Sequence, residues 1–295
     1  MNRKLLITAL GLTGMLAASS ASAVMVESFD YTLNGGWVEG SAVCASGADC
    51  VTYDGATTDV QGVTTRSHIS WGTEINDNGQ SSLTVWQNDG DNTEPLGDTT
   101  GDGTVLTNGT PRIGTIFEHD NVTIENDGNR LESVEFREEF TLTGSDPAVD
   151  GLPVESTLVL QSVLFNETPN DADPCPAGDD QPCNDIFVLL NEEELIQDVE
   201  VCDGDECWTY RFTIFQEDLM TVSTDDLLAD FGVELTDDQA LFANGSVGVL
   251  VTPEFRDNMF EFQFRTEHIP EPGTLALLGL GLGGVGFGRW RRKAA

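Results

Sequence analysis

The sequence predicts an all-β protein: a β-sandwich or jelly-roll ectodomain followed by a C-terminal transmembrane helix. Three observations predict it. Apolar residues recur at every second position in several short segments, which places them on one face of a strand. Gly, Asn and Asp crowd the stretches between those segments, as turns and polar connections require. A single apolar run near the C-terminus is flanked by basic residues, the pattern of a membrane span.

In chain order, residues 1–23 read as a secretory signal peptide. Arg3 and Lys4 precede an apolar run from Leu5 to Ala18, and the small residues Ala21, Ser22 and Ala23 form a cleavage site before Val24. Residues 24–269 form the ectodomain, long enough for a sizeable core. Strands are expected at Val26–Leu33, Thr65–Trp71, Leu83–Trp86 and Gly114–Ile124. In the next segment Val134, Phe136, Phe140 and Leu142 share a face that Glu138 interrupts. Further strands are expected at Ser156–Phe165 and Ile186–Leu190, then where Trp208, Tyr210, Phe212 and Ile214 alternate with polar residues. Ser246–Thr252 and the alternating Phe260, Phe262 and Phe264 complete the set. Thr224–Phe231 and Thr236–Phe242 read as short helices.

Charge and cysteine usage bound the function. The chain carries a formal net charge of −38, and the ectodomain holds all but Glu271 of the 51 acidic residues against seven arginines and no lysine. Such a surface repels nucleic acid and attracts cations, or serves as solvation in salty water. The six cysteines fall into close pairs, Cys44 with Cys50, Cys175 with Cys183 and Cys202 with Cys207, and in an exported chain they point to local disulfides. Zinc is the rival reading, but no Cys-x-x-Cys knuckle or adjacent histidine supports it.

The last 26 residues carry the most specific pattern. Pro270, Glu271 and Pro272 lead into the apolar stretch Thr274–Gly288, and Arg289, Arg291, Arg292 and Lys293 close it as a stop-transfer signal. This order closely resembles the PEP-CTERM sorting signal of Gram-negative bacteria. The resemblance implies that an exosortase, an integral-membrane processing enzyme, handles the chain for export or surface attachment.

The body resembles a second family, PEP-CTERM proteins named for a Thr-His-x-Asn signature and described as a choice-of-anchor domain. The matching residues are Asn166-Glu167-Thr168-Pro169-Asn170, Cys175-Pro176 and Pro182-Cys183-Asn184-Asp185, with Trp71-Gly72 and Leu241 to Gly245. The signature itself corresponds to Glu118-His119-Asp120-Asn121, in which Glu118 replaces the threonine. The resemblance implies an exported, surface-directed domain.

No catalytic motif accompanies these signals. His119 has no Gly-x-Ser-x-Gly or His-Glu-x-x-His context, so it is expected to be structural, a strand-end histidine tied to a turn; His268 is expected in a stalk. Asp98 to Gly103 is a partial calcium loop, with Asp98 and Asp102 as candidate ligands but Gly109 where an acidic twelfth ligand belongs. The expected function is therefore a non-enzymatic envelope or matrix protein. It would be exported across the inner membrane, handled by an exosortase, held by a C-terminal helix and associated with exopolysaccharide. The alternative is a cation-dependent glycan-binding or glycan-active domain.

Overall fold

The computed structural model describes residues 25–47, 49–74, 79–87, 96–125, 128–146, 148–154, 163–166, 175, 183–190, 196–203, 206–254 and 256–270. The export signal, Glu271, Pro272, the apolar segment 274–288 and the basic end all lie outside these residues. Among the described residues no helix is long and apolar enough to cross a membrane.

The fold is all-β, with seventeen strands and two short helices among the described residues. In chain order the strands are β1 (Ser28–Val38), β2 (Val43–Cys44), β3 (Val51–Val60), β4 (Val63–Trp71), β5 (Ser81–Gln87), β6 (Thr100–Leu106) and β7 (Arg112–Asn121). There follow β8 (Leu131–Ser133), β9 (Phe136–Asp146), β10 (Ala148–Val154), β11 (Val163–Asn166), β12 (Asp185–Leu189), β13 (Ile196–Asp203) and β14 (Glu206–Phe215). The chain closes with β15 (Met220–Ser223), helices α1 (Thr224–Phe231) and α2 (Asp237–Phe242), β16 (Ser246–Thr252) and β17 (Arg256–Ile269).

An eleven-stranded antiparallel sheet runs β10-β9-β1-β4-β5-β7-β17-β14-β13, with β3 beside β4 and β6 beside β1. It curls on itself. Strands β10 and β13, at its two ends, lie next to each other. Phe29 of β1 meets Tyr210 of β14 edge-on across the interior, with ring centroids 5.0 Å apart. A second sheet, β11-β12-β16-β15, packs against the larger one, and β2 with β8 makes a small ribbon.

Three apolar clusters follow from this layering. Trp37, Trp71, Phe117 and Phe262 of the large sheet pack on Phe165, Phe187 and Leu250 of the small sheet. Phe29, Tyr31, Leu142, Tyr210 and Phe264 fill the curl. Ile186, Val188, Val247 and Val249 face the other way and are covered by Leu227, Val233 and Ala243 of the helical segment. Strand β12 is buried on both faces, so it reads as a continuous apolar run rather than an alternation. Helix α1 begins where the Ser223 side chain accepts the Asp226 N–H, with Asp225 and Asp226 complementing the helix dipole. It ends at Gly232 in the left-handed conformation.

Glu138, the residue that broke the apolar face of its segment, is buried between the first two clusters, with Phe136 on one side and Phe140 on the other. Thr115 Oγ1 hydrogen-bonds to Glu138 Oε1 and lies 2.9 Å from Gln87 Oε1. One hydroxyl hydrogen cannot serve both acceptors. A protonated Glu138 that donates to the Thr115 oxygen resolves the conflict, and burial pushes its carboxyl up to about 7 in the same sense.

Candidate functional site

Of the residues that carried the body's resemblance, Trp71, His119, Asn121 and Asp185 meet where β7 faces the small sheet, while 167–170, 176 and 182 lie outside the described residues. Along β7 the side chains of Phe117, His119 and Asn121 are buried on one face by the strand period of two. His119 is fully enclosed. Its ring stacks on Trp71 at 5.8 Å and meets Phe165 and Phe187 edge-on at 5.0 and 5.5 Å. Neither of its ring nitrogens has a hydrogen-bond partner among the described residues. Asp185 Oδ2 of β12 lies 3.9 Å from Nε2, beyond hydrogen-bond reach. Desolvation holds the imidazole down to about 3, so at neutral pH the ring is uncharged and the pair is not a salt bridge.

Two residues on, Asn121 Nδ2 donates to the Thr252 carbonyl of β16 at 3.2 Å, and Thr252 Oγ1 donates to the Asp185 carbonyl at 3.3 Å. The His-x-Asn spacing therefore joins the two sheets: the histidine fills an aromatic cage and the asparagine supplies the hydrogen bond. Gly72 takes φ +87°, and a Cβ there would sit 2.5 Å from Ile124 Cδ1, which explains a glycine directly after Trp71. The expectation of a turn-tied histidine is corrected. His119 is held by rings rather than by a turn, because its neighbours on the inner face are aromatic.

The other candidates sit apart from this clamp. All three local cysteine pairs are disulfides, Cys44–Cys50, Cys175–Cys183 and Cys202–Cys207. Among the described residues Glu200, Cys202 and Cys207 alone form a trio within metal-ligand spacing, and the disulfide removes the thiolates that a metal would need. The calcium-loop reading does not match the backbone. Thr100–Leu106 is strand β6 paired with β1, and Asp98 Oδ1 accepts the N–H groups of Thr99 and Thr100 at its own turn. Asp102 stands opposite Thr32 in that ladder. At Gly103 a Cβ would lie 2.6 Å from Tyr31 Oη, so the glycine makes room for a ring rather than for a loop around a cation. His68 lies on β4 with Nδ1 2.9 Å from Thr84 Oγ1.

On the outer face, Asp120 of β7 stands opposite Asp257 of β17, with Glu118 beside them. Burial and the neighbouring Asp257 carboxylate raise both Glu118 and Asp120 above the usual carboxylate range. A groove of about 410 Å³ runs past Asp218, Met220, Asp257 and Met259. No expectation from sequence named this cluster, because its members come from strands far apart in the chain.

The tail leaves the fold without a spacer. His268 and Ile269 are the last two residues of β17, paired with Tyr210 and Thr209 of β14, and Pro270 is the first exposed residue beyond the ladder. The stalk expected around His268 is replaced by strand, since the alternation of Phe260, Phe262 and Phe264 continues through Thr266.

Residues 268–293 match the PEP-CTERM protein-sorting motif. The match covers the tail and, of the body, only His268 and Ile269 at the end of β17. No curated protein matches the chain. The motif marks the chain as an exosortase substrate exported to the cell envelope.

Proposed function

We propose that this protein is a non-enzymatic envelope or extracellular-matrix component. Its acidic body is a β-sandwich whose larger sheet curls like a jelly roll. The body is held to the membrane through a helix formed by the apolar segment 274–288 and associates with exopolysaccharide. The observation that carries this reading is the sorting motif, which continues directly from the last strand of the body. A general base must touch the group it deprotonates. The buried His119 and Glu138 instead face rings and neighbouring strands, and they serve the packing of the sheets.

Deleting residues 270–295 tests the delivery. The full chain is expected in the envelope fraction and the truncated chain in the periplasm. Equal distribution of the two would end this reading.

The groove between β17 and the small sheet supports a second reading, cation-dependent glycan binding, because Asp218 and Asp257 line it beside apolar Met220 and Met259. A glycan array probed with and without calcium decides it. Binding in neither condition removes the alternative.

A further inference from the structure

The first and last described residues of the body meet at one point. The Val26 N–H donates to Tyr210 Oη at 2.8 Å, Tyr210 stands opposite His268 in the ladder, and their rings lie 5.6 Å apart. The turn at Thr107 and Asn108 ties the two ends together. Thr107 donates through its N–H to the Glu27 carbonyl and through Oγ1 to the Val26 carbonyl, at 2.8 and 2.7 Å. Asn108 donates to the Thr266 carbonyl at 2.7 Å and accepts the His268 N–H on Oδ1 at 3.2 Å.

The end of β17 is therefore hydrogen-bonded along both edges, by β14 on one side and by the Thr107–Asn108 turn on the other. Peeling Thr266–Ile269 away would break bonds on both edges at once. One residue spans at most about 3.5 Å, so the Glu271 backbone stays within about 7 Å of Ile269. An enzyme that grips the motif cannot avoid the folded end of β17.

We propose that the membrane-embedded processing enzyme recognises this folded end together with the motif. The docking face comprises Val26, the Thr107–Asn108 turn, Thr209 and His268. This rests on the exosortase-substrate reading. It also orients the molecule: twelve residues of β17 separate Asp257 from Ile269, about 40 Å at the strand rise, so the groove beside Asp257 lies at the end of β17 away from the membrane.

The test compares three full-length chains expressed in a host with the enzyme: wild type, Glu271→Ala, and a chain with ten Gly-Ser residues inserted between Ile269 and Pro270. Processing is followed by intact mass over time. Wild type is expected to be processed and Glu271→Ala not. The spacer chain is expected to be processed about tenfold more slowly, because the motif loses the effective concentration that the docked end provides. A spacer chain processed as fast as wild type, or faster, overturns the docking face. Wild type and Glu271→Ala both showing, or both lacking, the mass change of processing would instead remove the exosortase reading, and the docking face with it.

Discussion

Replacing Glu138 by glutamine will stabilise the domain above pH 7 and leave it unchanged near pH 4. Burial raises the folded carboxyl from 4.5 to about 7. With the folded value above the unfolded one, the native state binds the extra proton between those two values. The contribution of Glu138 to stability is therefore fully present below pH 4.5 and is lost as the pH rises through 7. A shift of this size corresponds to about 3 kcal/mol of folding free energy lost by pH 8.5. Glutamine presents an N–H₂ where the protonated acid presents its O–H, so it donates to Thr115 Oγ1 at every pH. The variant should match wild type at pH 4.5 and exceed it by about 3 kcal/mol at pH 8.5, or roughly 6–12 °C in Tm for a domain of this size. Urea unfolding followed by tryptophan fluorescence reads this directly, because Trp37 and Trp71 are fully buried. The same difference at every pH, or a less stable variant at pH 8.5, would refute the protonated-glutamate account.

Other substitutions test the clamp. His119→Leu should flatten the acid limb: the folded imidazole at about 3 lies below its unfolded value of 6.5, so the contribution of His119 is fully present above 6.5 and up to about 4–5 kcal/mol of it is lost as pH falls to 3. Parallel acid titrations of the two chains check it. Asn121→Ala leaves the Thr252 carbonyl without its donor and should cost about 1–3 kcal/mol in chemical denaturation. Gly72→Ala forces a side chain into Ile124 at a positive φ and should cost at least about 2 kcal/mol, read by Tm.

The period-two segments announced their strands because one face of each is buried: β14 and the middle of β17 stand where the alternation placed them. Helix α1 was equally legible, since Ser223 and Gly232 mark its ends. Strand β3 was not. It lies at a sheet edge with Thr52, Asp54, Thr57 and Asp59 exposed, so it carries little apolar signal. Strand β6 was hidden by Asp and Gly, which read as a loop until the Tyr31 ring accounts for Gly103. The cysteine pairing was legible because short loops leave little choice. The clamp was only half legible. Trp71, His119, Asn121 and Asp185 could each be singled out in the sequence, but their meeting depends on the packing of the small sheet against the large one, which no local pattern encodes. The buried state of Glu138 was visible only as an interruption, since a single charged residue in an apolar face reads the same whether it is solvated or enclosed.

The central claim is that the tail directs this β-domain to the envelope by way of an exosortase. The most direct measurement is the intact mass of the chain recovered from each cell fraction, in hosts with and without that enzyme. The account predicts an envelope species of altered mass only where the enzyme is present. The same mass in the same fraction from both hosts would contradict it.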